Sequence, residues 1–359
     1  MATIVKTPSG TWKAVVRRQG WPTTAKTFPR KRQAEDWARG IEDEMVKGQF
    51  IQRSTAERLT ISKALDRYLS EVTTPKRPTT QVSERRRAEV LRGELGAYSL
   101  AALSPEVIAQ FRDKRLAGDL RKDGTRTPRA NNTVRLELAL LGHLYTIAIK
   151  EWGVALHQNP VLNIRRPPPS PGRDRRLTAE EERRLLDAVA AHSNPMLHWI
   201  VSIALETGMR SSEITTLRRT QVDLERRIVR LVETKNTQPR TVPLSKAAAS
   251  AFRAALANPV RPIDTDLVFF GEPGKDGQRR PYTFNKVWLD IKASVGLKDF
   301  RFHDLRHEAV SRFVEHGLSD QEVSAISGHK SMQMLKRYTH LRAEDLVAKL
   351  DQTAAQRGK

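Results

Sequence analysis

The 359-residue sequence has no cysteine, which excludes disulfides, thiolate-bound zinc and thiol nucleophiles. That usage fits a reducing compartment, and the chain is read as cytoplasmic. Long apolar runs are missing too. The strongest, Trp199 to Leu205, is far too short to span a bilayer, and Met1 to Gly10 has no apolar centre of the kind a secretory leader carries. No membrane partner is expected. Acidic residues are in deficit: 41 Asp and Glu against 63 Lys and Arg leave a formal charge of +22. Such an excess calls for a polyanionic partner, and nucleic acid is the commonest. Apolar residues, at 38%, suffice for real cores, and the length suits two or three domains.

The first segment, 1–53, reads as β-prone runs at Thr11 to Arg18 and Ala25 to Phe28, followed by a helix with Ala34, Trp37, Ala38, Ile41 and Met45 on one face. A small basic sheet beside one helix could lie on a DNA groove or be a packing appendage. A helical segment occupies 58–165. Ile61, Leu65, Tyr68 and Leu69 form one apolar stripe, and Val134, Leu138, Leu141 and Tyr145 form another. Ser104 with Pro105 reads as a helix start, and Asn131 and Asn132 as a further cap. Arg85, Arg86 and Arg87, and then Arg121, Arg126 and Arg129, are candidate phosphate contacts, although charge runs are more often solvated faces. The run RRPPPSPGRDRR, Arg165 to Arg176, contains an extended linker, 166–176, whose Arg173, Arg175 and Arg176 would suit a phosphate backbone. A mainly helical segment, 177–345, opens on a Thr178/Glu181 capping box and is followed by a tail, 346–359. It contains one expected hairpin, Ile228 to Leu231 against Thr241 to Leu244, and a second capping box at Ser319/Glu322.

This last segment carries groups suited to a phosphodiester. Arg210 follows the helix-ending Gly208, and Glu213 is placed to orient it. Lys235 lies in the hairpin turn. HDLRH supplies His303, Arg306 and His307 near one helix face, and GHKSMQMLKRYTH supplies His329 and Tyr338. Each element alone is weak. Together they hold two arginines for non-bridging oxygens, a lysine to protonate a leaving oxygen, histidines to move protons, and a tyrosine hydroxyl to attack phosphorus.

In this order, Arg210, Lys235, His303, Arg306, His329 and Tyr338 resemble the active site of the tyrosine recombinases, or phage-type integrases, with Glu213 matching the acidic residue after the first arginine in many members. The resemblance covers roughly Leu177 to Leu341. The upstream helical segment is similar to that family's core-binding domain. NNTVRLELALL, GRDRRLT, FHDLRHEA and SMQMLKRYTHLR look like the shufflon-type invertase branch, whereas the N-terminal unit looks like the arm-binding module of integrases. The resemblance implies a mainly α, multi-domain, C-shaped clamp with small β elements, closing on double-stranded DNA recombination sites and acting as a homotetramer on two duplexes. It also admits accessory DNA-bending proteins.

The implied mechanism is attack by Tyr338 to give a 3′-phosphotyrosine. Arg210 and Arg306 would stabilise the transition state and Lys235 would act as general acid. His303 would assist proton removal from Tyr338, and His329 would hydrogen-bond the phosphate. No metal or other cofactor is implied. Rival readings are weaker. His303 and His307 could ligate zinc, but no glutamate base lies between them as in H-E-x-x-H and no third ligand is evident. Acidic clusters for a two-metal nuclease read better as helical ion pairs. A type IB-like topoisomerase and a non-catalytic DNA-binding regulator remain as alternatives, the second having no need of Tyr338.

Overall fold

The computed structural model describes residues 2–48, 50, 54–120, 124–173, 175–232, 239–329, 331–335, 338 and 347. The chain divides into two compact units, Met1–Pro171 and Gly172–Lys359.

The first unit opens with three antiparallel strands in the order β1 (Ala2–Lys6), β2 (Trp12–Val16) and β3 (Thr24–Phe28). Helix α1 (Lys31–Val46) packs on them. Ala34 and Ala38 let the helix approach Ala14 and Val16 closely, and Trp12, Phe28 and Trp37 fill the flanks of this small core. Strand β1 is one more than the sequence indicated. Its burial does not alternate cleanly, so it lacks the period-2 pattern that reveals a half-buried strand.

A separate core belongs to the helices α2 (Ser54–Arg58), α3 (Ile61–Tyr68), α4 (Pro78–Leu95), α5 (Pro105–Ala117) and α6 (Asn131–Lys150). Ile61, Leu65 and Tyr68 meet Leu91, Leu138, Leu141 and Tyr145 there, as the two stripes implied. Ser104 caps α5 by accepting the Val107 N–H at 3.3 Å, with Pro105 in the first turn. The asparagine cap is a correction: α6 starts at Asn131 itself after Ala130, with no side-chain cap. Asn132 instead accepts the Ser170 N–H at 3.3 Å, fixing the linker within this unit. Between α5 and α6 lies a two-stranded ribbon, β4 (Asp119–Leu120) and β5 (Arg126–Thr127). Gly118 enters it at φ 80°, where a Cβ would meet the Thr127 carbonyl carbon at 2.2 Å, so only glycine fits.

The second unit is built around α8 (Met196–Thr207), apolar on nearly every face and packed by α7 (Ala179–Ala190), α10 (Lys246–Leu256) and α12 (Phe302–Glu315). The Thr178/Glu181 capping box starts α7. A five-residue helix α9 (Ser211–Thr215) follows α8. Then come the strands β6 (Val222–Asp223), β7 (Ile228–Leu231) and β8 (Arg240–Pro243), with β7 and β8 paired from Ile228↔Pro243 to Leu231↔Arg240. A second hairpin, β9 (Phe270–Pro273) with β10 (Arg279–Pro281), was not expected. Helices α11 (Asn285–Ser294), α13 (Asp320–Ser327) and α14 (Met332–Leu335) complete the described part, the Ser319/Glu322 box starting α13. Among the described residues no helix is long and apolar enough to cross a membrane.

Candidate active site

Helix α8 stops at Gly208, whose left-handed φ of 63° turns the chain so that Arg210 becomes the N-cap of α9. Glu213, one turn on and buried, accepts the Arg210 backbone N–H at 2.9 Å and its Nη1 at 2.7 Å. Arg306, from the buried face of α12, donates through Nη1 to the Gly208 carbonyl at 2.5 Å. That carbonyl belongs to the end of α8, where the helix supplies no N–H donor of its own. Arg306 Nη2 lies 3.3 Å from His329 Nε2.

His329 follows Gly328, the left-handed C-cap of α13. Its Nδ1 is 2.7 Å from Ser327 Oγ, which is also 2.6 Å from the Val323 carbonyl. A hydroxyl has one proton and a carbonyl can only accept. Assigned from this network, Ser327 donates to Val323, His329 donates from Nδ1, and its Nε2 faces Arg306 as an acceptor. Tyr338 is half-buried and packs on Val310, Val323 and Leu335. Its hydroxyl is hydrogen-bonded to His307 Nδ1, and its ring centroid stands 6.1 Å from that of His329.

The electrostatics favour an anion. Burial, and then the like charge of Arg210, lower Arg306 to about 10, which leaves it protonated at neutral pH. For Glu213, burial pushes upward. The hydrogen bond from Arg240, the Arg210 N–H, the charge of Arg240 and the hydrogen bond from the Arg210 side chain outweigh it and hold the carboxyl at about 2.

Arg210, Glu213, Arg306, His329 and Tyr338 are thus brought into one cluster, as their sequence order suggested. Lys235 lies outside the described residues, as does Arg121. His303 requires a correction. It is exposed, its ring meets that of His307 edge-on at 5.1 Å, and the histidine hydrogen-bonded to the Tyr338 hydroxyl is His307. The sequence sets His307 on the same helix face but points to no role for it in cleavage, because the family motif names only the first histidine. Arg240 and Ser327 were missed altogether. The only signal for Arg240 was a cation opening a strand at the edge of the hairpin.

Of the proposed phosphate contacts, Arg85 and Arg86 are exposed on α4 and Arg87 is half-buried; Arg126, the first residue of β5, and Arg129, just beyond it, are exposed. The linker arginines are placed otherwise than a strap of phosphate-facing cations. Arg173 pairs with Asp304 at 3.0 Å and Asp299 at 3.2 Å, Arg175 with Glu181 at 2.5 Å, and Arg176 with Glu308 at 2.9 Å and also Glu315. Asp304 and Glu308 are almost fully buried on α12, and buried carboxylates require compensating cations. Among the described residues no group of three histidine or acidic side chains could hold a metal.

Comparison with known proteins first defines a class, enzymes that break and rejoin DNA. Residues 175–345 match the Phage integrase family. The shufflon-specific DNA recombinase of Escherichia coli is 42% identical over 296 residues, 82% of this chain and 72% of that protein. The integrase of Salmonella phage P22 is 29% identical over 61% of this chain and 57% of its own length. Among solved structures, the Tn1549 transposon integrase in complex with transposon right end DNA superposes with a TM-score of 0.63 at 16% identity, over 82% of this chain and 100% of that chain. A lambda integrase dimer bound to a COC′ core site gives 0.60 at 18% identity, over 95% of each chain. These structural likenesses establish the fold. The chain belongs to the phage integrase family, the tyrosine recombinases, and is a site-specific DNA recombinase.

Proposed function

We propose that Tyr338 is the nucleophile of strand cleavage, and one observation carries this reading: its hydroxyl stands in the same cluster as Arg306, Arg210 and His329. A free tyrosine ionises near about pH 10, so attack at neutral pH needs a proton acceptor. His307 Nδ1 takes that proton. The phenolic oxygen bonds to phosphorus and the bond to the 5′-oxygen breaks, Lys235 supplying the proton that the departing oxygen requires. Arg210 and Arg306 fork onto the non-bridging oxygens, where negative charge grows. His329 completes the oxygen contacts as a donor, its Nε2 taking up a proton once Arg306 has turned to the phosphate. The 3′-phosphotyrosine ester retains the energy of the broken bond, so rejoining by a 5′-hydroxyl needs neither ATP nor a metal.

The substrate is duplex DNA held by segments 58–165 and 177–345, with Arg85, Arg86, Arg87, Arg126 and Arg129 on the backbone, and strand exchange takes place in a homotetramer. Support for DNA as partner comes from the charge of +22 and from the DNA-bound state of the integrases that share the fold. Segment 1–53 is a further DNA-binding module acting in integration and excision. A second reading, inversion of a segment between inverted sites, is favoured by the 42% identity to a shufflon-specific recombinase. Plasmids carrying two sites in direct or inverted orientation separate the two. Excision of a circle from direct repeats supports the first reading, and inversion with no excision supports the second. Persistent adduct formation on a nicked suicide substrate by Tyr338→Phe would remove the nucleophile assignment from both.

A further inference from the structure

Glu213 has one carboxylate and two arginines on it. Besides the two contacts from Arg210, it accepts Arg240 Nη1 at 2.9 Å and Nη2 at 2.7 Å, a full bidentate fork. Arg240 is 11% exposed and Glu213 is 3% exposed. The third donor of Arg240, Nε, reaches the Ile326 carbonyl at 3.1 Å in the last turn of α13. Its guanidinium also forms the floor under Gly328: a Cβ there would meet Nη1, Cζ and Nε at 2.9, 3.0 and 3.0 Å. One side chain from β8 therefore touches the carboxylate that holds Arg210 and the turn that presents His329.

From these contacts we infer that Arg240 is a positioning residue for cleavage, keeping Arg210 available to phosphate. This rests on the reading of Arg210 and Tyr338 given above. A carboxylate offers about four acceptor directions. Arg240 fills two of them, and the Arg210 N–H fills a third. Arg210 can then commit only Nη1 to Glu213, and among the described residues its Nη2 has no better contact than the Gly328 carbonyl at 3.5 Å. The charges agree. Two arginines on one glutamate leave that group with a net positive charge, whereas Glu213 with Arg210 alone would form a neutral pair. Without Arg240, the Arg210 fork closes onto both oxygens of Glu213 and turns away from the scissile phosphate. The turn before His329 loses its floor at the same time.

The test uses the full chain and a nicked suicide substrate containing its recombination site. Arg240→Met slows covalent adduct formation at saturating protein by about 10²-fold, the scale of a misplaced reacting group, while site binding changes only a few-fold. Adding Glu213→Gln to Arg240→Met removes the charge that captures Arg210 and restores roughly tenfold of the loss, a non-additivity that a merely structural contact does not produce. A double variant as slow as the single one, or slower, overturns the inference. Should Arg240→Met fail to fold, Arg240→Lys decides. Its point charge cannot fork, so it slows adduct formation with binding kept, and a wild-type rate overturns the inference. Failure of the unmodified chain to form any adduct instead removes the tyrosine mechanism itself.

Discussion

His303 and His307 stand one turn apart on α12, and only their surroundings separate their roles. His307 is half-buried and bonded to the Tyr338 hydroxyl; His303 is exposed beside it. The account predicts that His307→Ala slows cleavage by about 10²-fold or more, the contribution typical of a positioned proton acceptor. His303→Ala should act more weakly. Rates of adduct formation for the two variants check this, and the reverse order would return the proton to His303. Arg210, Glu213, Arg306, His329 and Tyr338 were legible because their chemistry is complete and their order matches a family motif. His307 and Arg240 were not. Which of two histidines on one face meets a distant tyrosine, and that a strand-edge arginine reaches a helix C-terminus, depend on packing between elements far apart in sequence. Glu213 also has a consequence for pH. Its folded value, about 2, lies below its ordinary 4.5. Its stabilising contribution is therefore fully present above about pH 5 and is lost as pH falls towards 2. Melting temperature against pH should show this acid decline, and Glu213→Gln should make it shallower.

Helix α12 has two working faces. One carries Arg306 and His307; the other carries Asp304 and Glu308, bound to Arg173, Arg176 and Arg312. Glu308 also accepts the Leu177 N–H at 3.1 Å, so the first residues of the second unit are stapled to the helix that bears the site. Burial pushes the Glu308 carboxyl up, but the bonds from Arg176, Leu177 and Arg312 leave it below its ordinary range. Glu308→Gln keeps the shape and removes the charge, leaving Arg176 and Arg312 poorly matched. It should cost about 1–3 kcal/mol of stability, the scale for a lost charged hydrogen bond. Thermal unfolding checks the loss, and an unchanged melting temperature would make the staple decorative. The helices, both capping boxes and the first hairpin of the second unit were readable from period and caps. Strand β1, the β9–β10 hairpin and the ion pairs of the linker arginines were not, because short edge strands lack alternation and an RDRR run looks the same whether phosphate or a buried glutamate receives it.

At the scale of the whole chain, the excess of 22 positive charges survives the internal ion pairs of the linker, and it has to be read against salt. The 1–53 module has its own small core of Ala14, Val16, Ala34, Ala38 and Met45, distinct from that of the helices that follow. Deleting it should leave cleavage at the crossover site intact and make DNA affinity fall less steeply with salt, since each lost phosphate contact removes about 0.9 from the logarithmic slope. An unchanged slope and unchanged recombination would make the module an appendage. The account as a whole turns on where the DNA becomes attached. The direct measurement is to trap the covalent complex on a nicked suicide substrate in EDTA without ATP, digest both protein and DNA, and identify the modified peptide by mass spectrometry. The account predicts a nucleotide joined through its 3′-phosphate to the tyrosine of the peptide that contains Tyr338. Attachment to any other residue, linkage through a 5′-phosphate, or cleavage that stops on chelation while binding persists would contradict it.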